Sequence, residues 1–138
     1  MNISFFLLPK SEVVFVQKDD TVGQALKRLH KRRYQTVPLI DKDGKYVGTV
    51  SEGDFLWNLI VVYQTDIDVM KEAKVDELAL TRSYRAVRID ADISELAHYI
   101  LDQNFVPVVD DRDVFIGIIT RKKILKVLLE KKKGMQDA

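Results

Sequence analysis

Two four-residue turns carry the side chains with the most chemistry to offer: Ser51-Glu52-Gly53-Asp54 and Thr120-Arg121-Lys122-Lys123. Each puts a hydroxyl residue ahead of an apolar stretch, the signature of a helix start. In the first, the Ser51 hydroxyl and the Asp54 carboxylate suit the unpaired N–H groups and the positive dipole end of a helix. That capping role contributes on the order of 1–2 kcal/mol and explains both residues without a ligand. In the second, Thr120 is again a cap, but three cations follow it in the first turn. Each is misplaced against the dipole by roughly 0.3–1 kcal/mol at low salt. An anion at the helix start reverses those penalties, because backbone N–H groups and cationic side chains converge on it. A basic surface helix tolerated through ionic screening is the other reading.

Catalysis has little to work with. His30 and His98 fall on helix surfaces outside any motif, and H-E-x-x-H, Walker A and G-x-G-x-x-G are all absent. The chain has no cysteine, which removes thiolate nucleophiles, thiolate metal sites and disulfides. Asp41, Asp43, Asp110, Asp111 and Asp113 sit in turns, where turn chemistry is reason enough for them. No metal site is expected.

The 138 residues are 46% apolar and 31% charged, enough for one ordinary soluble core. Lys and Arg number 22 against 21 Asp and Glu, a formal charge of +1. So even a balance provides no field for nucleic acid or an anionic membrane, and Lys131–Lys133 make only a short basic run. No segment approaches the ~18 apolar residues of a membrane span, and the apolar start lacks the basic region of a signal peptide. A cytoplasmic protein is the expectation.

The elements that must position the two turns read as follows. Residues 2–8 form a short helix or docked strand that stops at Pro9 and packs on the domain or on a second copy. Glu12–Val16 is a strand, and Asp19-Asp20-Thr21 starts a helix carrying Val22, Ala25, Leu26 and Leu29. Its opposite face bears Lys27, Arg28, Lys31, Arg32 and Arg33, a solvated surface. Val37–Ile40 and Tyr46–Val50 form a hairpin around Asp41-Lys42-Asp43-Gly44. Phe55–Tyr63 is too apolar all round for one solvent face, so part of it should meet a partner subunit or a neighbouring segment. Thr65–Val75 is a connecting helix, 84–89 a strand, and Asp92 opens a helix with Ile93, Leu96, Ala97 and Ile100. A basic helix ends the chain, with a frayed tail after Gly134.

The hairpin and helix start then recur. Pro38 returns as Pro107, Asp41 as Asp110, Gly48 as Gly117 and Ser51 as Thr120, all at one offset of 69 positions. This is an internal duplication of a βαββα unit. The fold class expected is α/β (α+β), two repeats packed sheet against sheet about a pseudo-twofold axis. The first occupies 1–72 with the N-terminal segment and connecting helix, the second 73–138 with the C-terminal helix and basic tail.

Val-Pro-h-h-Asp followed by Gly-h-h-Ser/Thr-x-x-Asp, in duplicate, resembles a tandem pair of CBS domains, a Bateman module, over roughly Glu12 to Glu130. The first copy matches in full, whereas Lys123 stands where the family has Asp. The resemblance implies a regulatory sensor for adenosine-containing ligands, held in clefts between the repeats, with the Ser/Thr on phosphate or ribose and the Asp on ribose. The run 114–123 also resembles stand-alone bacterial CBS pairs that bind cyclic di-AMP, in which a Thr-Arg-Arg-like run grips phosphate. Lys122 keeps that charge but not the bidentate fork. One phosphate-favouring site would then comprise Val14, Tyr34, Gln35, Thr36, Pro38, Thr120, Arg121, Lys122 and Lys123. A ribose-favouring one would comprise Ser51, Asp54, Ala86, Phe105, Val106 and Pro107. Tyr34 and Phe105 either stack on a base or serve as core aromatics. The expectation is a non-enzymatic homodimer that needs no cofactor. It binds an adenine nucleotide, cyclic di-AMP first and AMP, ADP or ATP next, and signals to a regulated protein. The alternative is a dimerisation or interaction module with empty clefts.

Overall fold

A computed structural model of the chain describes residues 2–32, 34–80 and 83–137; Arg33 of the basic helix face and Ala138 at the end of the tail lie outside them. Backbone contacts gather the chain into two compact units. One is 14–83; the other joins 1–13 to 84–138.

The first unit is a βαββα repeat. Strand β2 (Val16–Gln17) leads to helix α1 (Val22–Arg32), then strands β3 (Thr36–Ile40) and β4 (Tyr46–Ser51), and helix α2 (Glu52–Trp57). In the sheet, β3 lies between parallel β2 and antiparallel β4. Thr21 and Gln24 cap α1 reciprocally, each backbone N–H bonding the other's side chain. The apolar stripe predicted for α1 is real: Val22, Ala25 and Leu29 are buried against Val37, Leu39, Val50 and Phe55. A π-turn (Asn58–Val62) continues α2, and a short helix α3 (Ile67–Glu72) follows. The chain then returns to α1, Val22 N–H bonding Ala73 O at 2.8 Å and Val75 N–H bonding Asp20 O at 2.9 Å. Residues 73–80 therefore cluster with this unit, whereas the boundary expected from sequence, between 72 and 73, gives them to the second repeat.

The second unit repeats the plan with β5 (Val87–Arg88), α4 (Ile93–Ile100), β6 (Phe105–Val109), β7 (Phe115–Thr120) and α5 (Arg121–Asp137). It gains a fourth strand at the edge, β1 (Leu8–Pro9), antiparallel to β7. The preceding 3₁₀ turn, Ile3–Phe6, drives Ile3 and Phe6 into the core beside Leu96, Ile100, Val106 and Ile119. The N-terminal segment thus completes the second repeat's sheet.

Both outer strands are shorter than the expected 12–16 and 84–89. Pairing runs only through Val16↔Leu39 and Gln17↔Ile40, and through Val87↔Val108 and Arg88↔Val109. In each case it begins one residue past the proline of the central strand, Pro38 or Pro107, which has no N–H for a ladder. Lys10–Glu12 forms a 3₁₀ turn instead. The last helix also runs on past Gly134 to Asp137. A Cβ at Gly134 would meet nothing within 4 Å, and an exposed helix tolerates glycine at a cost of about 1 kcal/mol.

The hairpin turns match position for position. Asp41 Oδ1 accepts from Asp43 and Lys45 N–H, and Asp110 Oδ1 from Arg112 and Val114 N–H. Gly44 and Asp113 take the left-handed conformation at the same step, with φ of 81° and 63°.

Candidate nucleotide-binding site

Helix α2 starts on a complete capping box. Ser51 Oγ accepts from Asp54 N–H at 3.1 Å, and Asp54 Oδ2 accepts from Ser51 N–H at 2.9 Å. The next amide, of Glu52, donates to Gln35 O at 2.8 Å, so the head of α2 is sewn to the start of β3, where Thr36 pairs with Ser51. Asp54 is only 2% exposed. This turn is closed on itself.

Helix α5 starts differently. Thr120 Oγ1 accepts from Lys123 N–H at 3.0 Å, and no acidic residue stands in the first turn. Lysine at the third position has no carboxylate to return the bond. Among the described residues no backbone bond joins Arg121 N–H to Asn104, the counterpart of Gln35. Neither Lys122 nor Lys123 enters an ion pair there. Lys122 is exposed and Lys123 half-buried.

Arg121 is the exception among the three cations. Its Nε donates to Ile100 O and its Nη2 to Leu101 O, both at 2.8 Å. Those are the last carbonyls of α4, the negative end of that helix, so the guanidinium has a structural destination. The penalty read from sequence applies in full only to Lys122 and Lys123.

The remaining candidates divide by burial. Tyr34 is 42% exposed and Gln35 exposed, while Val14 and Thr36 are half-buried and Pro38 buried. In the second repeat Phe105, Val106 and Pro107 are buried and Ala86 half-buried. Phe105 has an aromatic partner already, its ring lying edge-on to Tyr84 with centroids 5.0 Å apart. Within each repeat the structure brings strand start and helix start together, Thr36 opposite Ser51 and Phe105 opposite Thr120.

Two buried amides escaped the sequence reading. Gln103, 6% exposed, bonds both N–H and C=O of Arg85 and also Phe105 O, fixing the backbone beside Ala86. Asn58, fully buried, bonds Asp54 O and both backbone groups of Ala79. The signal for Asn58 is its isolation as the one polar residue in FLWNLIVV. Gln103 sits in a polar turn cluster and gives none. His30 and His98 are exposed, and no metal-ligating group of side chains occurs among the described residues.

The family model described as CBS domain matches the chain twice, over residues 7–60 and 75–130. The chain belongs to the CBS-domain family. Cyclic di-AMP receptor B of Bacillus subtilis (strain 168) is 26% identical over 127 residues, covering 92% of this chain and 86% of that protein. Among solved structures, CbpB in complex with c-di-AMP superposes with a TM-score of 0.88 at 27% identity, over 99% of this chain and 90% of that one. CBSX2 in complex with AMP gives a TM-score of 0.74 at 28% identity, over 95% and 98%. No helix among the described residues is long and apolar enough to cross a membrane.

Proposed function

We propose that this CBS pair is a non-catalytic sensor that binds an adenine nucleotide and passes its occupancy to a partner protein in the cytoplasm. Cyclic di-AMP is the first candidate, with AMP, ADP and ATP next. The observation that carries the reading is the head of α5, where Lys122 and Lys123 sit on the positive end of a helix with no ion-pair partner among the described residues. A phosphate there gains two cations, the dipole and first-turn N–H groups at once. The relatives that carry bound c-di-AMP and AMP supply the adenine half of the argument.

The proposal gives phosphate to Thr120, Lys122 and Lys123, and ribose to Ser51 and Asp54. The ribose arm asks more of the protein. Asp54 is 2% exposed and its Oδ2 already holds Ser51 N–H, so the turn has to open for a sugar hydroxyl to enter.

The proposal also makes the protein a homodimer. Leu56, Trp57, Ile60, Val61 and Val62 are each at least half exposed along α2 and the π-turn. Leu125 and Leu129, at the repeat positions of Leu56 and Ile60, are 61% and 65% exposed. Apolar faces this continuous mark association surfaces.

Melting curves with cyclic di-AMP, AMP, ATP and S-adenosylmethionine test the sensor reading. Ligand at a hundred times its dissociation constant stabilises the folded state by about 2.7 kcal/mol, a rise of several degrees in midpoint. The expected result is the largest rise with cyclic di-AMP. A flat response to all four rejects the function.

A further inference from the structure

We infer that Asn58 is a positioning residue that couples the ribose-binding turn of α2 to the linker backbone at Ala79, so that occupancy at Asp54 is felt across residues 76–80. The inference rests on the proposed nucleotide binding and adds to it a route by which binding leaves the site.

Asn58 lies one helical turn beyond Asp54 and is fully buried. Its Nδ2 donates to Asp54 O at 2.8 Å and to Ala79 O at 2.7 Å, while its Oδ1 accepts from Ala79 N–H at 3.0 Å. Both amide hydrogens and the carbonyl are therefore in use, and no water reaches the group to replace a lost bond. A buried amide in that state either moves with its partners or leaves them unsatisfied. Asp54 and Ala79, 25 residues apart in sequence, are linked through a single side chain.

The segment that holds Asn58 is built to shift. Helix α2 spans only Glu52–Trp57, and from Asn58 the backbone changes to π spacing, Tyr63 N–H closing on Asn58 O at 2.8 Å. The turn ends through Gln64 and Thr65 in succession, both left-handed, with φ of 51° and 68°. A β-branched residue in that region is strained, and single-turn π segments are rare and frequent at functional sites. The head of α2 is thus not locked by a long α-helical ladder. Asp54 has to turn outward to meet a ribose hydroxyl; its carbonyl then moves, and Asn58 conveys the movement to Ala79.

Hydrogen–deuterium exchange on the full chain, with and without cyclic di-AMP, tests this. In the unsubstituted protein the nucleotide should change amide exchange across 76–80 by about tenfold or more. Asn58→Leu removes every bond of the amide. Ala79→Pro removes only the N–H that Asn58 accepts, at a position whose preceding residue, Leu78, already has the extended φ of −74° and ψ of 146° that proline requires. In both variants cyclic di-AMP should still raise the melting midpoint, while the response across 76–80 falls away in Asn58→Leu and is reduced in Ala79→Pro, which keeps the Nδ2 bond to the carbonyl of residue 79. Should Asn58→Leu fail to fold, Ala79→Pro carries the test alone. A full response at 76–80 in Ala79→Pro overturns the inference, as does a nucleotide that raises the midpoint of the unsubstituted protein and leaves 76–80 unchanged. A nucleotide that raises no midpoint overturns the sensor function as well, so the two failures are told apart by the melting curve.

Discussion

The guanidinium of Arg121 reaches back 21 residues to the carbonyl of Ile100, which its Nε meets at 2.8 Å, while its Nη2 holds Leu101 O. The first residue of α5 thereby caps the end of α4, a cation on the negative pole of a helix. Arg121→Ala should cost about 1–3 kcal/mol of stability with no ligand present, the worth of charge-assisted bonds to carbonyls that lose their donor. Arg121→Lys keeps the charge without the fork and should recover part of that loss. Urea unfolding midpoints measure both. An Arg121→Ala protein as stable as the unsubstituted one would show that the two bonds carry no net energy.

The opposite sign is expected one and two residues on. Lys122 and Lys123 oppose the dipole of α5, so Lys122→Ala and Lys123→Ala should each leave stability unchanged or raise it by about 0.3–1 kcal/mol at low salt. Each should also weaken cyclic di-AMP about tenfold, equivalent to about 1.4 kcal/mol. Adenosine, which lacks phosphate, should be affected much less. Melting curves in the two ligands read out both effects. Equal losses for nucleotide and nucleoside would remove phosphate from this helix start.

What was legible beforehand follows the range of the signal. Asp41 and Gly44 announce the hairpin, and Ser51 with Asp54 announces the helix, because each acts on backbone within four residues. The duplication was equally plain, since Pro38 and Pro107 keep one register with everything around them. The rest depended on partners far along the chain. Ile3 and Phe6 advertise burial but not where, and their place in the core of the second repeat depends on β1 finding β7. Arg121 reads in sequence as one of three equivalent cations, because its acceptors lie 20 and 21 residues back at the end of α4. Asn58 and Gln103 reach backbone 21 and 18 residues away, and although isolation in an apolar run marks Asn58, side-chain type does not name a partner at that distance.

The same contrast between repeats decides the last prediction. Gly48 and Gly117 hold one position in the motif, and both admit a close neighbour, but the neighbours differ. A Cβ on Gly117 would lie 2.2 Å from Leu8 O, backbone of the strand that pairs with β7, and 2.8 Å from a methyl carbon of Leu7. That overlap cannot be relieved by a rotamer change, so Gly117→Ala must push β1 from the edge and draw Phe6 with it. A loss at the upper end of the 1–3 kcal/mol typical of overpacking, or above it, is expected. On Gly48 the Cβ would meet Ser83 Oγ at 2.3 Å and Ser83 Cβ at 3.2 Å. The hydroxyl can rotate away and the Cβ can yield by a few tenths of an ångström, so Gly48→Ala should cost about 1 kcal/mol or less. Chemical denaturation of the two variants side by side makes the comparison, with proteolysis of the N-terminal segment as a second measure for Gly117→Ala. Equal losses in the two would mean that β1 yields as easily as a serine side chain, contrary to the packing of Ile3 and Phe6 behind it.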